Sequence, residues 1–446
     1  MKNDIVRCKC VDMSVDGHGI ARAGELVVFV KGMIKGEEAD VKIISEKKNY
    51  SYGIIDNMIV ASPHRIQSDC NISYKCGGCD YRYIDYPYQL ELKKEVLINT
   101  FKDFTVNDII PDDNPQYYRN KVQIPLRDGK MGFYRKFSND IVEFEDCHIE
   151  SYKANQIIKS LKPILIDNKL DKYIRHIIIK HAQGTDEIML GFVVNTFDVK
   201  LDSIIEQIVD QYPEIKSVIM NLNDKDTNVI LGNEDKLLYG RDYIYDIYDG
   251  IKVKISLKSF YQVNYHQMLK LYGKIKELSG VTENDSVLDL YCGIGTISLY
   301  IARYAKHVTG VEIVKEAIEN AKDNAIMNNF DNVEFFCADA SKNMDEYIRN
   351  KDIVIVDPPR KGISRELIDS LINNNVKKIV YVSCNPATLD RDLHYFKDYY
   401  DISNIQPVDM FPYTTHVETV CCLYHQKKDF ISVPYELKDD DYPKQH

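Results

Sequence analysis

The sequence predicts a multi-domain protein. We expect an OB-like β-barrel over residues 1–60, a central α/β domain with a four-cysteine site over 61–256, and a Rossmann-like α/β domain over 257–446. Three observations predict this order: glycine-punctuated β segments at the start, a cysteine-rich loop followed by hairpins, and a final region in which apolar strands alternate with helices. A chain of 446 residues is too long for one ordinary domain, and its 44% apolar content can fill several cores.

The first unit consists of short β segments separated by glycine turns. The segments read IVRCKCVDMS, DGHGIAR, GELVVFVKG, EEADVKIISEKK and YSYGIIDNMIV. Apolar and polar residues alternate within them, as they do in strands with one buried face. Five such strands at this spacing predict a small closed barrel of the OB type.

The middle region begins after the linker SPHR. A cysteine-rich loop precedes YPYQLELKKEVLINTFKDF, whose apolar spacing predicts an amphipathic helix. Two hairpins follow, one turning at Asp128-Gly129 and one near Gly184. The first hairpin mixes aromatic residues with six cations, a pattern that suits single-stranded RNA, although a solvated charged face is the alternative. Its cations are Arg119, Lys121, Arg127, Lys130, Arg135 and Lys136.

A ligand site is predicted at the strand ends of the last unit. The run VLDLYCGIGT leads from an apolar strand into a Gly-x-Gly turn at Gly293, and Glu312 ends the next strand 19 residues later. An acidic residue at that position can accept both hydroxyls of a ribose. Asp339 and Asp357 follow the next two strands. Ser298 stands where a dinucleotide fingerprint has its third glycine, so S-adenosylmethionine (SAM), which carries no phosphate, fits better.

Composition and termini limit the class of protein. The N-terminus lacks the apolar run of a signal peptide, and eighteen consecutive apolar residues occur nowhere, so we expect a cytoplasmic protein without a membrane anchor. Eleven cysteines in a reducing compartment point to metal binding, catalysis or core packing. The net charge of −11 argues against an evenly basic surface but allows a local basic groove.

The cysteines fall into three groups. Cys384 in VSCNPATLDRD follows an apolar run. Its residue type and local sequence alone predict a thiol packed in the core. The spacing C-x5-C-x2-C with a distant fourth cysteine suits an iron–sulfur cluster or a zinc ion. The remaining six cysteines lie in apolar runs or barrel strands, where core packing is expected: Cys8, Cys10, Cys292, Cys337, Cys421 and Cys422.

Five motifs in a fixed order carry a resemblance to a known family. SFYQVN (259–264), LDLYCGIGT (288–296), DPPR (357–360), SCNP (383–386) and HVET (416–419) resemble the SAM-dependent RNA uracil-5 methyltransferases. The first 60 residues look like the TRAM domain that precedes many of them. The resemblance implies that Cys384 is the nucleophile and Glu418 the base. It also implies that Gln262, Tyr291, Glu312 and Asp339 contact SAM beside Gly293, and that Asp357 lies between SAM and the base.

The same family relationship implies further features of the central unit. The cysteines Cys70, Cys76, Cys79 and Cys147 would hold a [4Fe–4S] cluster, with zinc as the next choice. The segment 87–114 would pack on the methyltransferase domain and not on its sequence neighbours.

The implied reaction explains why these residue types occur together. Carbon 5 of uracil becomes nucleophilic when a thiolate adds to carbon 6, and a carboxylate must later remove the carbon 5 proton. Relatives with both a TRAM domain and four such cysteines are mostly 23S ribosomal RNA enzymes, so structured RNA of that kind is the expected partner. The alternatives are a tRNA uracil-5 methyltransferase, a radical iron–sulfur enzyme with a TRAM domain, and a non-catalytic RNA-binding assembly factor.

Overall fold

The N-terminal unit of the computed structural model, which describes residues 2–136, 138–225 and 227–426, is a closed barrel. Its strands are β1 (Ile5–Met13), β2 (His18–Ala23), β3 (Leu26–Lys31), β4 (Glu38–Glu46) and β5 (Ser51–Val60). The order is β1-β2-β3-β5-β4, and pairing of β1 with β4 closes it. Alternate side chains such as Val28, Val30, Val41 and Ile43 point inward and form the barrel core.

Helix α1 (Tyr86–Thr100) connects the barrel to the C-terminal unit. Asp85 caps its N-terminus by accepting the N–H of Tyr88, and Pro87 occupies its first turn. Leu92 packs in the barrel core, whereas Leu97 lies in a core that belongs to the C-terminal sheet. The helix therefore holds the barrel against the C-terminal domain.

The central unit is built around a seven-stranded sheet of order β12-β11-β10-β9-β6-β7-β8. Helices α2 and α3 pack in the same core as this sheet, and β13 pairs with β14 in a separate ribbon. At the β6–β7 turn both Asp128 and Gly129 have positive φ, as a two-residue hairpin turn of type I′ requires. The elements are β6 (Lys121–Arg127), β7 (Lys130–Tyr134), β8 (Ile141–Glu143), α2 (Tyr152–Asp167), a 3₁₀ turn (Leu170–Lys172), β9 (Ile174–Ala182), β10 (Glu187–Val194), α3 (Asp202–Gln211), β11 (Ile215–Leu222), β12 (Glu234–Gly240), β13 (Tyr243–Tyr248) and β14 (Ile251–Ser256).

The C-terminal unit is a mostly parallel sheet with core clusters on both faces. Its elements are α4 (Tyr265–Ser279), β15 (Ser286–Leu290), α5 (Thr296–Ala302), β16 (His307–Glu312), α6 (Lys315–Met327), β17 (Val333–Cys337), α7 (Asp345–Ile348), β18 (Ile353–Val356), α8 (Arg365–Asn373), β19 (Lys378–Ser383), α9 (Pro386–Phe396), β20 (Tyr400–Ile402), β21 (Gln406–Val408) and β22 (Glu418–His425). The order β17-β16-β15-β18-β19-β22-β20 reverses direction between β15 and β18. Such a switch point opens a crevice beyond the carboxyl ends of the strands.

The predicted architecture is confirmed: a barrel, a central α/β unit and a Rossmann-like sheet follow one another. The predicted boundaries near residues 60 and 256 stay predictions. One prediction is wrong, because Cys337 is exposed and not packed in the core. It ends β17, which lies at the edge of the sheet and has a neighbour on one side only. In the described part of the chain, no helix is long and apolar enough to cross a membrane.

Candidate active site

A cavity of about 910 Å³ lies at the switch point of the C-terminal sheet. Every residue that the sequence assigned to the cofactor or to catalysis lies in its wall. They are Gln262, Tyr291, Gly293, Glu312, Asp339, Asp357, Cys384 and Glu418. They lie together because the carboxyl ends of β15, β16, β17, β18 and β19 meet at one edge, where β22 also begins.

The glycine turn after β15 is tight and fastened to the neighbouring strand. Tyr291, Gly293 and Gly295 all have positive φ, and the Tyr291 N–H donates to the Val311 carbonyl at 2.9 Å. A β-carbon on Gly295 would lie 2.7 Å from the Phe335 ring, so only glycine fits there. The Gly293 N–H points to Glu312 Oε2 at 3.4 Å, which places the acidic side chain beside the turn.

Two carboxyls lie near this turn, Asp289 fully buried and Asp357 partly exposed in the cavity wall. Burial raises the pKa of Asp289 and of Asp357 to about 7. Asp289 is fully buried and accepts a 2.5 Å hydrogen bond from Ser298 Oγ. The serine that replaces the third glycine of a dinucleotide fingerprint therefore partners a buried carboxyl, a role that the sequence pattern did not suggest.

Cys384 and Glu418 come together through the pairing of β19 with β22. Ser383 is opposite Thr419 in this antiparallel ladder, and Cys384 and Glu418 are the next residues along the two strands. Cys384 is half-buried, whereas Glu418 is 4% exposed. Glu418 Oε2 has no hydrogen-bond partner among the described residues. A buried carboxyl oxygen without a protein partner, facing a cavity, is available to a ligand.

The charges around the two residues oppose their ionisation. Burial, with the nearby Glu418 and Asp357 carboxyls, raises the pKa of the Cys384 thiol to about 11. Burial and the Asp357 charge raise the pKa of Glu418 to about 8. The Arg360 guanidinium acts in the opposite direction and lowers the pKa of both groups. Arg360 is therefore a cation that acts on both reactive groups, and the sequence suggested it only as part of DPPR.

The loop before Glu418 is held by a buried lysine from helix α1. Lys93 Nζ contacts Asp409 Oδ1 at 2.6 Å and donates to the carbonyls of Phe411 and His416, both at 3.1 Å. Tyr86 donates to the other Asp409 oxygen at 2.8 Å. This network fixes residues 409–416, and no sequence motif pointed to it.

A second buried lysine holds the segment that carries Gln262. Lys180 on β9 donates to the carbonyls of Ser256 and Ser259 at 2.7 and 2.8 Å. Asn120 donates to the Gln262 carbonyl at 2.9 Å. The central unit therefore positions one wall of this 910 Å³ cavity.

The four cysteines of the second set line a separate small cavity of about 50 Å³. Cys70, Cys76, Cys79 and Cys147 all face it, and burial raises the pKa of the Cys79 thiol to about 12. None of the cysteines forms a disulfide within the described residues. As arranged, no three histidine, cysteine or acidic side chains of the described ranges converge on one metal-ion position.

The cations of the first hairpin are largely paired within the protein. Lys136 contacts Asp80 at 2.6 Å, Arg119 lies 3.5 Å from Glu150, and two weaker contacts join Arg127 to Asp128 and Arg135 to Asp140. These pairs reduce the positive potential that this hairpin can offer to RNA.

Comparison with known proteins identifies the family. The model of the tRNA (Uracil-5-)-methyltransferase family matches residues 85–427. The chain belongs to this family. A TRAM domain model matches residues 11–55, in the barrel. The predicted enzyme class is confirmed: this uracil-5 methyltransferase acts on RNA and depends on SAM.

Relatives and a solved structure cover nearly the whole methyltransferase. An RNA methyltransferase of Bacillus cereus is 40% identical over 96% of this chain and 98% of its own. One of Staphylococcus aureus is 39% identical over 94% of this chain and 98% of its own. The crystal structure of Pyrococcus abyssi tRNA (uracil-54, C5)-methyltransferase with S-adenosyl-L-homocysteine is 27% identical. It superposes with a TM-score of 0.78 over 94% of this chain and 100% of its own.

Proposed function

We propose that the protein methylates carbon 5 of a uridine in 23S ribosomal RNA, with Cys384 as the nucleophile and Glu418 as the base. One observation carries the mechanism: the two side chains are 34 residues apart in sequence, yet they face one cavity from adjacent strands. A thiol and a carboxyl with an unpartnered oxygen are the two groups that this chemistry requires.

The proposed reaction passes through a covalent adduct between Cys384 and the uracil. Once the Cys384 thiol has lost its proton to solvent, the thiolate bonds through Sγ to carbon 6 of the uracil, which turns the ring into an enolate with electron density at carbon 5. SAM, when bound, would supply its methyl group to carbon 5 and leave as S-adenosylhomocysteine. The ionised form of Glu418, which the Arg360 charge favours, then takes the proton from carbon 5, the double bond re-forms, and the bond between Sγ and carbon 6 breaks. The cysteine leaves as a thiolate and the carboxyl carries the proton away.

Arg360 is the cation that favours the thiolate form of Cys384 in this mechanism. Because burial and two carboxyls raise the pKa of Cys384 to about 11, the resting thiol is protonated at neutral pH. Arg360 lowers that pKa and that of Glu418, and it lines the cavity beside Cys384. We assign to it the stabilisation of the developing thiolate.

The SAM-binding residues follow from the same cavity. We propose that SAM is held by the glycine turn and by the acidic and polar side chains around it: Gln262, Tyr291, Gly293, Glu312, Asp339 and Asp357. Glu312 lies beside the turn, as a ribose-binding carboxylate should. The substitution Glu312→Gln should weaken SAM binding in calorimetry at least about tenfold, because a charge-assisted hydrogen bond contributes about 1.5–3 kcal/mol.

The substrate assignment is tested by methyl transfer. The purified protein is incubated with labelled SAM and separately with unmodified 23S rRNA and unmodified tRNA, and the labelled nucleotide is mapped. We expect 5-methyluridine in 23S rRNA. The TRAM barrel together with four cysteines supports this choice. The similarity to the Pyrococcus abyssi tRNA enzyme supports tRNA as the second candidate, and label in tRNA alone would establish it.

We also propose that Cys70, Cys76, Cys79 and Cys147 hold a [4Fe–4S] cluster. The donor set fits, since four thiols surround one cavity. A cluster bonds each cysteine to a different iron, whereas zinc needs all the sulfurs on one ion. Anaerobically purified protein should contain about four irons and matching sulfide per chain. Stoichiometric zinc without iron would contradict the assignment.

A further inference from the structure

The catalytic cavity is divided electrostatically. Its acidic wall consists of Glu312, Asp339, Asp357 and Glu418, all at strand ends of the C-terminal sheet. Its cations lie beside this wall, on the segment 360–365 (RKGISR) and on α9. We call Arg360, Lys361, Arg365 and Arg391 the basic rim. In a protein of net charge −11, four cations on one rim are a strong local concentration of positive charge.

The basic rim is only partly neutralised. Lys361 is exposed and forms no ion pair in the part of the chain that the structure describes. Arg365 pairs with Asp369 at 2.9 Å, but both side chains are about half exposed, and such pairs contribute little. Arg391 forms an ion pair with Asp392, whose carboxylate also accepts hydrogen bonds from other groups. Among the hairpin cations, Lys136 and Arg119 have partners that are largely buried, Asp80 and Glu150.

The rim is also held rigidly. Asp392 is 1% exposed and accepts the Ile363 N–H at 3.1 Å and the Tyr381 hydroxyl at 2.7 Å. Arg391 donates to the Lys361 carbonyl at 3.0 Å, and Asn385 donates to the Arg360 carbonyl at 2.9 Å. These bonds fix the backbone of the segment on α9. A preorganised surface loses less conformational entropy when a ligand binds.

An aromatic ring completes the surface. Arg365 lies 4.3 Å from the centre of the Tyr395 ring, and Tyr395 lines the cavity with 44% of its surface exposed. Cations for phosphates beside an exposed ring for a base form the combination that binds single-stranded nucleic acid.

We propose that the basic rim binds the phosphates of the single-stranded RNA that flanks the target uridine. In this proposal the acidic wall binds the ribose hydroxyls of SAM and the reacting uracil. The basic rim binds the RNA backbone on either side of that nucleotide. This inference rests on the uracil-5 methyltransferase activity and is independent of whether ribosomal or transfer RNA is the substrate.

The test measures RNA binding without turnover. The probe is a fluorescein-labelled single-stranded oligouridine, and the variant is Lys361→Gln with Arg365→Gln, both exposed positions. For single strands, each lost phosphate contact reduces the slope of log Kd against log salt by about 0.7, so the double variant should lose about 1.4. Lys397→Gln is the matched control, since Lys397 lies at the far end of α9 and outside the cavity.

A measurement of SAM binding shows whether the rim cations bind RNA or the cofactor. In calorimetry, the double variant should bind SAM as the parent protein does and should unfold at the same temperature. An unchanged salt slope would overturn the proposal. Weaker SAM binding with unchanged RNA binding would also overturn it, because the cations would then serve the cofactor. Failure to methylate 23S rRNA would leave the salt slopes unaffected, so the two proposals fail separately.

Discussion

Two cavities of this protein contain the same chemical groups and differ in access. The catalytic cavity combines Cys384, Glu418 and Arg360, and the cysteine cavity has Cys147 and Glu150, with Arg119 beside Glu150. Burial raises the pKa of both glutamates to about 8. The first cavity holds about 910 Å³ at the strand ends of a sheet, whereas the second holds about 50 Å³ between loops.

The difference shows that size and placement decide what identical groups can do. A large opening at a sheet switch point admits a nucleoside cofactor and a base, so a thiol there can act as a nucleophile. A small enclosure among loops excludes such ligands and leaves its thiols to bind an inorganic group or to pack. Substitutions in the two cavities should therefore have different effects.

The largest expected effect is the loss of the nucleophile. Cys384→Ala should reduce methyl transfer on the order of 10⁴-fold or more, because a covalent mechanism fails without its nucleophile. It should also abolish any protein–RNA band that survives denaturant. Cys337→Ala is the matched control, since Cys337 is exposed and lies outside the cavity wall, and it should keep full activity. A persisting band in Cys384→Ala would refute the assignment of Cys384.

The next effect concerns the base. Glu418→Gln should slow turnover about 10²–10⁴-fold, because the methylated adduct forms but its carbon 5 proton is not removed. A denaturant-stable protein–RNA band should accumulate in gel electrophoresis, with the methyl label in it. Glu150→Gln provides the comparison from the other cavity and should give no such band. Loss of activity in Glu418→Gln without any adduct would argue for a role before methyl transfer.

A substitution in the cysteine cavity should change the iron content of the protein more than its methyl-transfer activity. Cys79→Ser should remove most of the iron from about four atoms per chain, because a cluster needs its thiolate ligands. Activity should fall less than in Cys384→Ala, since no step of the proposed reaction uses an electron. Iron analysis and methyl transfer on the same preparation measure both quantities. Cys337→Ser again serves as the control, and unchanged iron in Cys79→Ser would contradict the cluster assignment.

The smallest expected effect is on the pH dependence of the free energy of unfolding. The folded pKa of Glu418, about 8, lies above its ordinary value of 4.5, so folding favours its protonated form. The folded state therefore binds more protons between these values, and the contribution of Glu418 to stability falls as pH rises from 4.5 to 8.

Glu418→Gln removes this loss. The difference in free energy of unfolding between the variant and the parent protein should be about 4 kcal/mol more favourable to the variant at pH 9 than at pH 5, as measured by denaturant unfolding at both pH values. Glu206→Gln, on the exposed face of α3, is the control and should show no such gain. An equal difference between variant and parent at both pH values would mean that Glu418 is not perturbed by burial.

Sequence patterns predicted the catalytic cavity because its residues follow apolar strands. The turn at Gly293, Glu312, Asp357 and Cys384 each come at or just after a strand of the parallel sheet. Carboxyl ends of parallel strands meet at one edge, so the order of strands along the chain is enough to predict that these residues gather. Glu418 needed the family resemblance, because it begins an antiparallel strand whose partner the sequence does not reveal.

Contacts between distant parts of the chain were not predictable in this way. Lys93 pairs with Asp409 across 316 residues, and nothing local distinguishes either residue from an exposed charge. The sequence predicts that the hairpin cations are available to RNA. In the structure, however, Lys136 forms an ion pair with Asp80, and Arg119 forms one with Glu150. Cys337 read as a core residue because its strand is apolar, yet the strand lies at the edge of the sheet.

The sequence by itself determined the order of the three units, the barrel, the Rossmann-like sheet and the position of the glycine turn. These depend on residue periodicity and on backbone conformations that nearby residues dictate. Only the tertiary structure decided which charges are neutralised and which carboxyl lacks a partner. It alone decided that Arg360 acts on Cys384 and that the basic rim lies beside an acidic wall. Such properties depend on distances between side chains brought together by packing, and electrostatic energy changes steeply with those distances and with burial.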